Sequence, residues 1–326
     1  MRPPSAKLTK FFGIAALLAA VFLLMLFLDR FRFDSQSLFW HAARNFGHVP
    51  LFGVIAVIIL WLLHLSVGGR LSALPRYAFA WIGAVGLGAI SEYLQIASGR
   101  DADIMDWVYD IAGATAFLAL HFTIDSRLSD KEKERMNRAG TPVRITALAI
   151  LAVAGIPMVM GGAASGHRRT SFPKMYTFSS FLEKKFIESS HAVLEYAEPP
   201  AAWSSHDSQV AEVTFFPAKY PGLALKGPWP DWRDYQVLTL DVFSPAESSI
   251  SLNLMIKDLE DASFNDRYNR ELRIRPGLNK IRIQMADIEN SPANRLLDLS
   301  SIQVIHLFVI EPQQALVLYF DDLLLE

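Results

Sequence analysis

Six side chains able to bind, ionise or move protons lie in or beside apolar runs of the N-terminal third: His48, Glu92, Gln95, Arg100, Asp106 and Asp110. Gly88, Glu92 and Gln95 fall at i, i+4 and i+7, so on a helix they share one face, which Ala84 and Trp81 extend. Asp106, Asp110 and Gly113 repeat that spacing, with Ala114 alongside and the bulkier Phe117 one turn deeper. An ionisable group inside a membrane span costs roughly 2.5–3.5 kcal/mol on insertion scales, so it faces a bundle interior and finds a partner. Two aspartates one turn apart repel unless a proton, a cation or a basic side chain intervenes, and Arg100 and His48 are the basic groups at hand.

That set supports more than one chemistry. His48, Glu92, Asp106 and Asp110 are candidate catalytic residues for proton transfer on a lipid headgroup or envelope glycan, with Gln95 and Arg100 as candidate ligand-binding residues. The same groups could instead pair, Arg100 with Asp106 and His48 with Glu92, as polar bolts that fix helix register. A divalent cation held by Asp106, Asp110 and Glu92 is a third reading, although no metal-ligand spacing is present, and no cofactor is expected.

The elements that must position these residues are apolar runs long enough to span a bilayer. Residues 11–28 form the first, preceded by Arg2, Lys7 and Lys10; this is longer than a signal-peptide core and lacks a clear cleavage site. A polar, aromatic-rich connection follows, with an interfacial helix expected near 38–44. Further spans are expected at 48–65, 77–96, 104–123 and 145–160, separated by a loop with Arg70 and Arg76 and by a charged loop over 125–144. Positive charge concentrates in the N-terminal tail and in these two loops, which must share one side. The positive-inside tendency makes that side cytoplasmic. The six polar residues then gather at the outer leaflet, and everything after Gly161 lies outside the membrane.

Hydrophobic residues make up 52% of the 326 and charged residues 20%, yet nearly all long apolar runs precede residue 163. The formal net charge of −2 gives no sign of a nucleic-acid partner. With no cysteine, disulfides, thiolate catalysis and cysteine-ligated metals are excluded, so an outer domain must hold by its core alone. His64 and His121 lie near inner helix ends and read as interfacial.

The N-terminal residues resemble the VanZ-like membrane proteins over about residues 10–125. The resemblance rests on His48 with Phe52, Glu92-Tyr93-Leu94-Gln95, Arg100, Asp106 and Gly113 in that order and spacing. At Asp110 the family usually shows asparagine, so this chain adds a carboxylate. The family is associated in one branch with glycopeptide-antibiotic resistance and supplies no mechanism to carry over.

Beyond 176, short period-two runs separated by Pro, Gly, Asp and Asn predict strands over 192–196, 209–216, 235–243, 249–257, 280–283, 303–310 and 316–322. This pattern resembles the galactose-binding-like jelly rolls of carbohydrate-binding modules. Trp229, Trp232, Arg267 and Tyr268 are the candidate sugar-binding residues, since sugars take aromatic faces and planar polar groups. The alternative has Trp232 and Tyr235 plugging the sandwich edge and Asp266 paired with Arg267 in a loop. Asp258 or Asp322 is a candidate structural-calcium ligand.

The expected fold class is an α-helical membrane bundle of five transmembrane helices followed by an all-β jelly-roll sandwich. Its expected divisions are a four-helix VanZ-like unit (1–125), a charged cytoplasmic loop with the fifth span (126–163), a linker (164–175) and an extracytoplasmic sandwich (176–326). The expected setting is the bacterial inner membrane, multi-pass, with a cytoplasmic N-terminus, membrane lipid as partner and an envelope glycan or lipid-linked glycan as ligand. A non-enzymatic anchor or sensor and a small transporter are the competing readings.

Overall fold

In the computed structural model, residues 6–30, 38–67, 70–97, 103–203, 209–226, 231–258 and 263–326 are described; for 6–10 and 25–30 only the backbone is. The chain divides into two compact units, one drawn from residues before 160 and one from Met160–Glu326. The first is helical and the second is a β-sandwich.

Helices α1 (Ala6–Arg30), α2 (Leu38–Val67), α3 (Ala73–Ala97), α4 (Ile104–Phe122) and α5 (Asp130–Ser171) make up the helical part. By length and hydropathy α2, α3 and α5 are each sufficient to cross a membrane. The interfacial helix expected at 38–44 is instead continuous with the second span, running through Pro50. A membrane helix tolerates the lost N–H where neighbouring groups take up the freed carbonyl. The charged loop is helical from Asp130, and the expected linker is helical through Ser171. There Arg168 donates to the Lys226 carbonyl at 3.0 Å and lies 3.9 Å over the Phe186 ring, which ties the helix end to the sandwich.

Helix ends are closed by named groups. Asp103 caps α4, its carboxylate accepting from the Met105 amide at 2.8 Å. Ser129 and Glu132 form a capping box at α5, and the second Glu132 oxygen accepts from the Ala73 amide at the start of α3. One carboxylate thereby serves two helix N-termini.

Apolar side chains of α2 (Phe52, Ile55, Ala56, Leu60) pack with Ala80 and Ala84 of α3 and Ala114 and Leu118 of α4. Interhelical hydrogen bonds add to this close packing. Trp81 accordingly donates to Thr115 at 2.9 Å and Trp107 to the Val85 carbonyl at 3.2 Å, both joining α3 to α4.

The small residues do not all face where their pattern suggests. Gly88 of α3 does meet α4, where a Cβ would fall 2.5 Å from Asp110 Oδ2. Gly113 of α4 meets α2 instead: a Cβ there would fall 2.1 Å from the Val49 carbonyl oxygen. One helix of 3.6-residue period has room for two neighbours, and spacing alone does not say which face takes which.

The second unit holds β1 (Lys174–Tyr176), β2 (Ile187–Ser190), β3 (Ala192–Ala197), β4 (Val210–Phe215), β5 (Gly222–Lys226), β6 (Val237–Ser244), β7 (Ile250–Lys257), β8 (Tyr268–Ile274), β9 (Gly277–Gln284), β10 (Val304–Phe308) and β11 (Leu316–Leu325), with a short helix α6 (Met285–Glu289). One sheet runs β3-β4-β11-β6-β9 with β1 on β11, and the other runs β2-β5-β10-β7-β8. All pairings are antiparallel. The seven expected strands are present within a residue or a few, and β1, β2, β5 and β8 are additional. The core between the sheets includes Trp232, Phe215, Phe320, Leu252 and Leu307, each large buried side chain worth about 1.5–3 kcal/mol.

The two outer faces differ. Every residue of β6 is buried, and at one end of its outer face Trp203 stacks on Phe243 at 5.9 Å beside Val210 and Tyr319. The five-stranded sheet carries its outward residues on the surface described below.

The Gly113 contact makes a specific prediction. Gly113→Ala should separate α2 from α4 and lower stability by about 1–3 kcal/mol, the usual cost of overpacking, whereas Gly86→Ala, with open space around it, should be neutral or stabilising. Thermal unfolding of both variants in the same detergent distinguishes them.

Candidate functional sites

The helical unit brings five of the six sequence candidates together. His48 reaches from the third turn of α2 to α4, its Nδ1 lying 2.8 Å from Asp110 Oδ1 and its Nε2 3.7 Å from Asp106 Oδ2. One imidazole thus answers both aspartates. Glu92, on α3, accepts from the Gln95 amide at 3.1 Å. Phe52, one turn along α2, stacks on the imidazole with centroids 6.2 Å apart.

The expected pairing of His48 with Glu92 is therefore replaced by His48 with Asp110. The physical cause is the Gly113 contact, which presses α2 against α4 beside His48. Asp110 is the histidine's closest partner and is only 1% exposed. Arg100, expected to pair with Asp106, lies outside the described residues.

Each of the three carboxylates keeps one buried oxygen with no hydrogen-bond partner among the described residues: Glu92 Oε2, Asp106 Oδ1 and Asp110 Oδ2. A buried charge left in that state is costly, so a proton or another donor belongs with such oxygens. Among the described residues no group of three or more His, Cys, Asp or Glu is arranged to hold a metal ion.

A second polar network occupies the opposite ends of these helices, where His64 and His121 had read as lone interfacial residues. Arg76, 8% exposed and inside α3, donates to His64 Nδ1 at 2.8 Å. Trp61 Nε1 donates to His121 Nε2 at 3.3 Å, and Tyr77 Oη lies 2.7 Å from His121 Nδ1 and 3.1 Å from Asp125. Indole can only donate, so His121 accepts at Nε2 and carries its proton on Nδ1. The run then reads Trp61 to His121 to Tyr77 to Asp125. Four residues on three segments cannot be joined by sequence spacing, which is why this network escaped it.

In the sandwich, the sugar-binding candidates mostly fall in the interior. Trp232 is fully buried in the core and Tyr268 is 4% exposed, so neither presents a face to a ligand. Their aromatic character reflects core filling at strand entrances. Trp229 lies outside the described residues. Asp258, 1% exposed, spends both oxygens on the Arg295 guanidinium, and one also accepts from the Asp298 amide. Burial alone would raise this carboxyl, but those bonds outweigh it and hold it below the usual carboxylate range. In this structure it is the ion-pair partner of Arg295. Asp266 likewise pairs with Arg295, at 2.7 Å, instead of the adjacent Arg267.

Arg267 is the sugar-binding candidate that reaches a surface, and it leads to residues that the sequence reading missed. Its Nε donates to Asn269 at 3.1 Å on the outer face of the five-stranded sheet. Strand register builds that face row by row. His306 of β10 sits between Ala224 of β5 and Met255 of β7, and Phe308 between Gly222 and Asn253. Asn269 and Glu271 of β8 continue the two rows, and Glu188 and Ser190 of β2 close them at the other edge.

Three rings form a line: His306 and Phe308 at 5.1 Å, then Phe308 and Tyr220 at 6.0 Å. Gly222 makes room for them, because a Cβ there would meet Phe308 Cβ at 2.6 Å and His306 Nε2 at 3.0 Å. The signal available in the sequence was His306 and Phe308 alternating with the core residues Ile305, Leu307 and Val309. Burial lowers the His306 imidazole below its ordinary value, and Arg267 and Lys257 push it the same way, so it is neutral at pH 7.

No protein-family model matches the chain, and no curated protein matches it. Among solved structures, it is similar to a family 11 carbohydrate-binding module from Clostridium thermocellum in complex with a β-1,3-1,4-mixed-linked tetrasaccharide. That match covers 46% of this chain and 92% of the module at 17% identity, with a TM-score of 0.36. A non-crystalline cellulose specific module, CBM28, is matched over 48% of this chain and 94% of its own at 13% identity and a TM-score of 0.32. An exo-β-agarase is matched over 43% of this chain but only 23% of its own length, at 16% identity and a TM-score of 0.36.

The lowered His306 value fixes a pH dependence. As pH falls from about 7 to about 5, the unfolded chain takes up the proton before the folded one, so this contribution to stability is full above the ordinary imidazole value and lost through the lower folded one. Thermal unfolding across that window should show the loss, and His306→Gln should flatten it.

Proposed function

We propose that the chain is an integral protein of the bacterial cytoplasmic membrane, VanZ-like in its helical part, whose β-sandwich recognises a glycan of the cell envelope. In this reading α1–α5 are five spans, the N-terminus is cytoplasmic and the sandwich lies outside. Two features support it. Large apolar side chains such as Ile82, Ile90 and Leu94 of α3 and Ile145, Leu148 and Val153 of α5 are exposed, as lipid-facing residues are. Arg70, Arg127, Lys131, Lys133, Arg135 and Arg138 fall between helices or at the start of α5, on the side assigned to the cytoplasm.

The observation that carries glycan recognition is the line of His306, Phe308 and Tyr220 on the five-stranded sheet, flanked by Asn253, Asn269, Glu271 and Glu188. Ring faces cover the apolar side of a sugar, and planar amides and carboxylates take its hydroxyls in pairs. The opposite sheet offers no comparable stretch around Phe243, because Trp203 covers it. Phe308→Ala should weaken binding at least about tenfold, or about 1.4 kcal/mol, in a glycan array probed with the full-length chain in detergent. Retention of every array signal by that variant would remove the face from consideration.

The three unpartnered carboxylate oxygens favour a second reading for the helical unit, acid–base chemistry on a lipid-linked glycan. His48 and Glu92 would exchange protons with a hydroxyl or phosphate of that substrate. Glu92→Gln separates this from a structural clamp. Under the acid–base reading the variant accumulates in the membrane at the wild-type level but fails to complement the envelope defect of a deletion strain. Loss of the protein itself would assign the cluster to helix packing.

A further inference from the structure

The sugar-facing sheet carries a charge pattern that narrows its ligand. Lys226 of β5 and Lys257 of β7 both stand opposite Val304 of β10, and all three point outward, since the core residues alternate with them. Arg267, just before β8, continues the same row: Tyr268 pairs with Ile256, which places Arg267 across from Lys257. A row of basic residues therefore crosses the sheet one step below His306.

Cations also sit against the other rings. The Lys219 ammonium lies 5.4 Å from the Tyr220 ring centre, and the Arg267 guanidinium 5.5 Å from that of Phe264. The acids of the face are engaged locally. Glu188 pairs with Lys226 at 2.5 Å, and Glu271 accepts from Ser251 at 2.5 Å.

Resting on the glycan-recognition reading above, we propose that this face binds an acidic glycan, one bearing carboxylate or phosphate groups, with rings stacked along His306, Phe308 and Tyr220 and an acidic group on Arg267. Arginine suits the task, because its planar fork matches a carboxylate or a phosphate in two parallel bonds. An uncharged polysaccharide would use the rings and amides but offer no anionic group to the Arg267 guanidinium, which is bonded to the neutral Asn269 side chain, and complementary charge is the means by which interfaces discriminate between partners.

The test uses the full-length chain in neutral detergent with three immobilised probes: polygalacturonate, uncharged β-1,3-1,4-glucan and inorganic polyphosphate. Expected is binding to polygalacturonate about five- to tenfold tighter than to the glucan, with the margin shrinking as salt rises. Arg267→Gln should remove that margin without lowering the melting temperature, Arg267→Lys should keep part of it, and Phe308→Ala should weaken both sugar probes. Equal binding of the two polysaccharides, unaffected by Arg267→Gln, overturns the acidic class while leaving glycan recognition standing. Binding to neither overturns glycan recognition itself. Polyphosphate binding as tight as polygalacturonate, insensitive to Phe308→Ala, reduces the face to a non-specific basic patch and overturns the proposal.

Discussion

At Gly113 the backbones of α2 and α4 approach closely enough that no other residue fits, and the polar chemistry of the helical unit depends on that approach. It brings the turn of α2 bearing His48 against the turns of α4 bearing Asp106 and Asp110, so that one imidazole spans two carboxylates. A glycine contact and a buried polar bond reinforce each other here: the contact sets the distance and the bond sets the register. Gly88 acts in the same way from α3, leaving space for the Asp110 carboxylate.

The sandwich answers a different constraint. Without a cysteine it relies on a closed apolar core, and its two outer faces have been treated oppositely. On the six-stranded sheet β6 is buried on both sides, with Trp203 covering Phe243. The face of the five-stranded sheet is left with rings, amides and paired charges, which makes poor core. Gly222 leaves the room that Phe308 and His306 take on that face.

How much of this was legible in the sequence depended on the range of the signal. Period-two runs such as 237–242 and 251–256 marked central strands, because such strands repeat one local pattern. The edge strand β2 and the short β1 and β5 lacked the length to declare themselves, and β8 was partly taken for a loop because Arg and Asn interrupt it. In the helical unit, residue types and order placed His48, Glu92, Asp106 and Asp110 together. Their partners were misassigned, since helical spacing gives a face but not the neighbour opposite it. Trp232 and Tyr268 illustrate the reverse error: an aromatic residue beside polar ones reads as a ligand platform, while the same ring is what a sandwich needs to close its ends.

The hydrogen-bond run from Trp61 through His121 and Tyr77 to Asp125 has a direction. Because its first member can only give a proton and its last accepts one, every intermediate group is oriented head to tail, and its bond dipoles add instead of cancelling. The run works as a short polar wire laid between helices, with its negative terminus at Asp125. Reversing it would require Trp61 to let go, so the polarity of that end of the bundle is set by an indole, a side chain that carries no charge of its own.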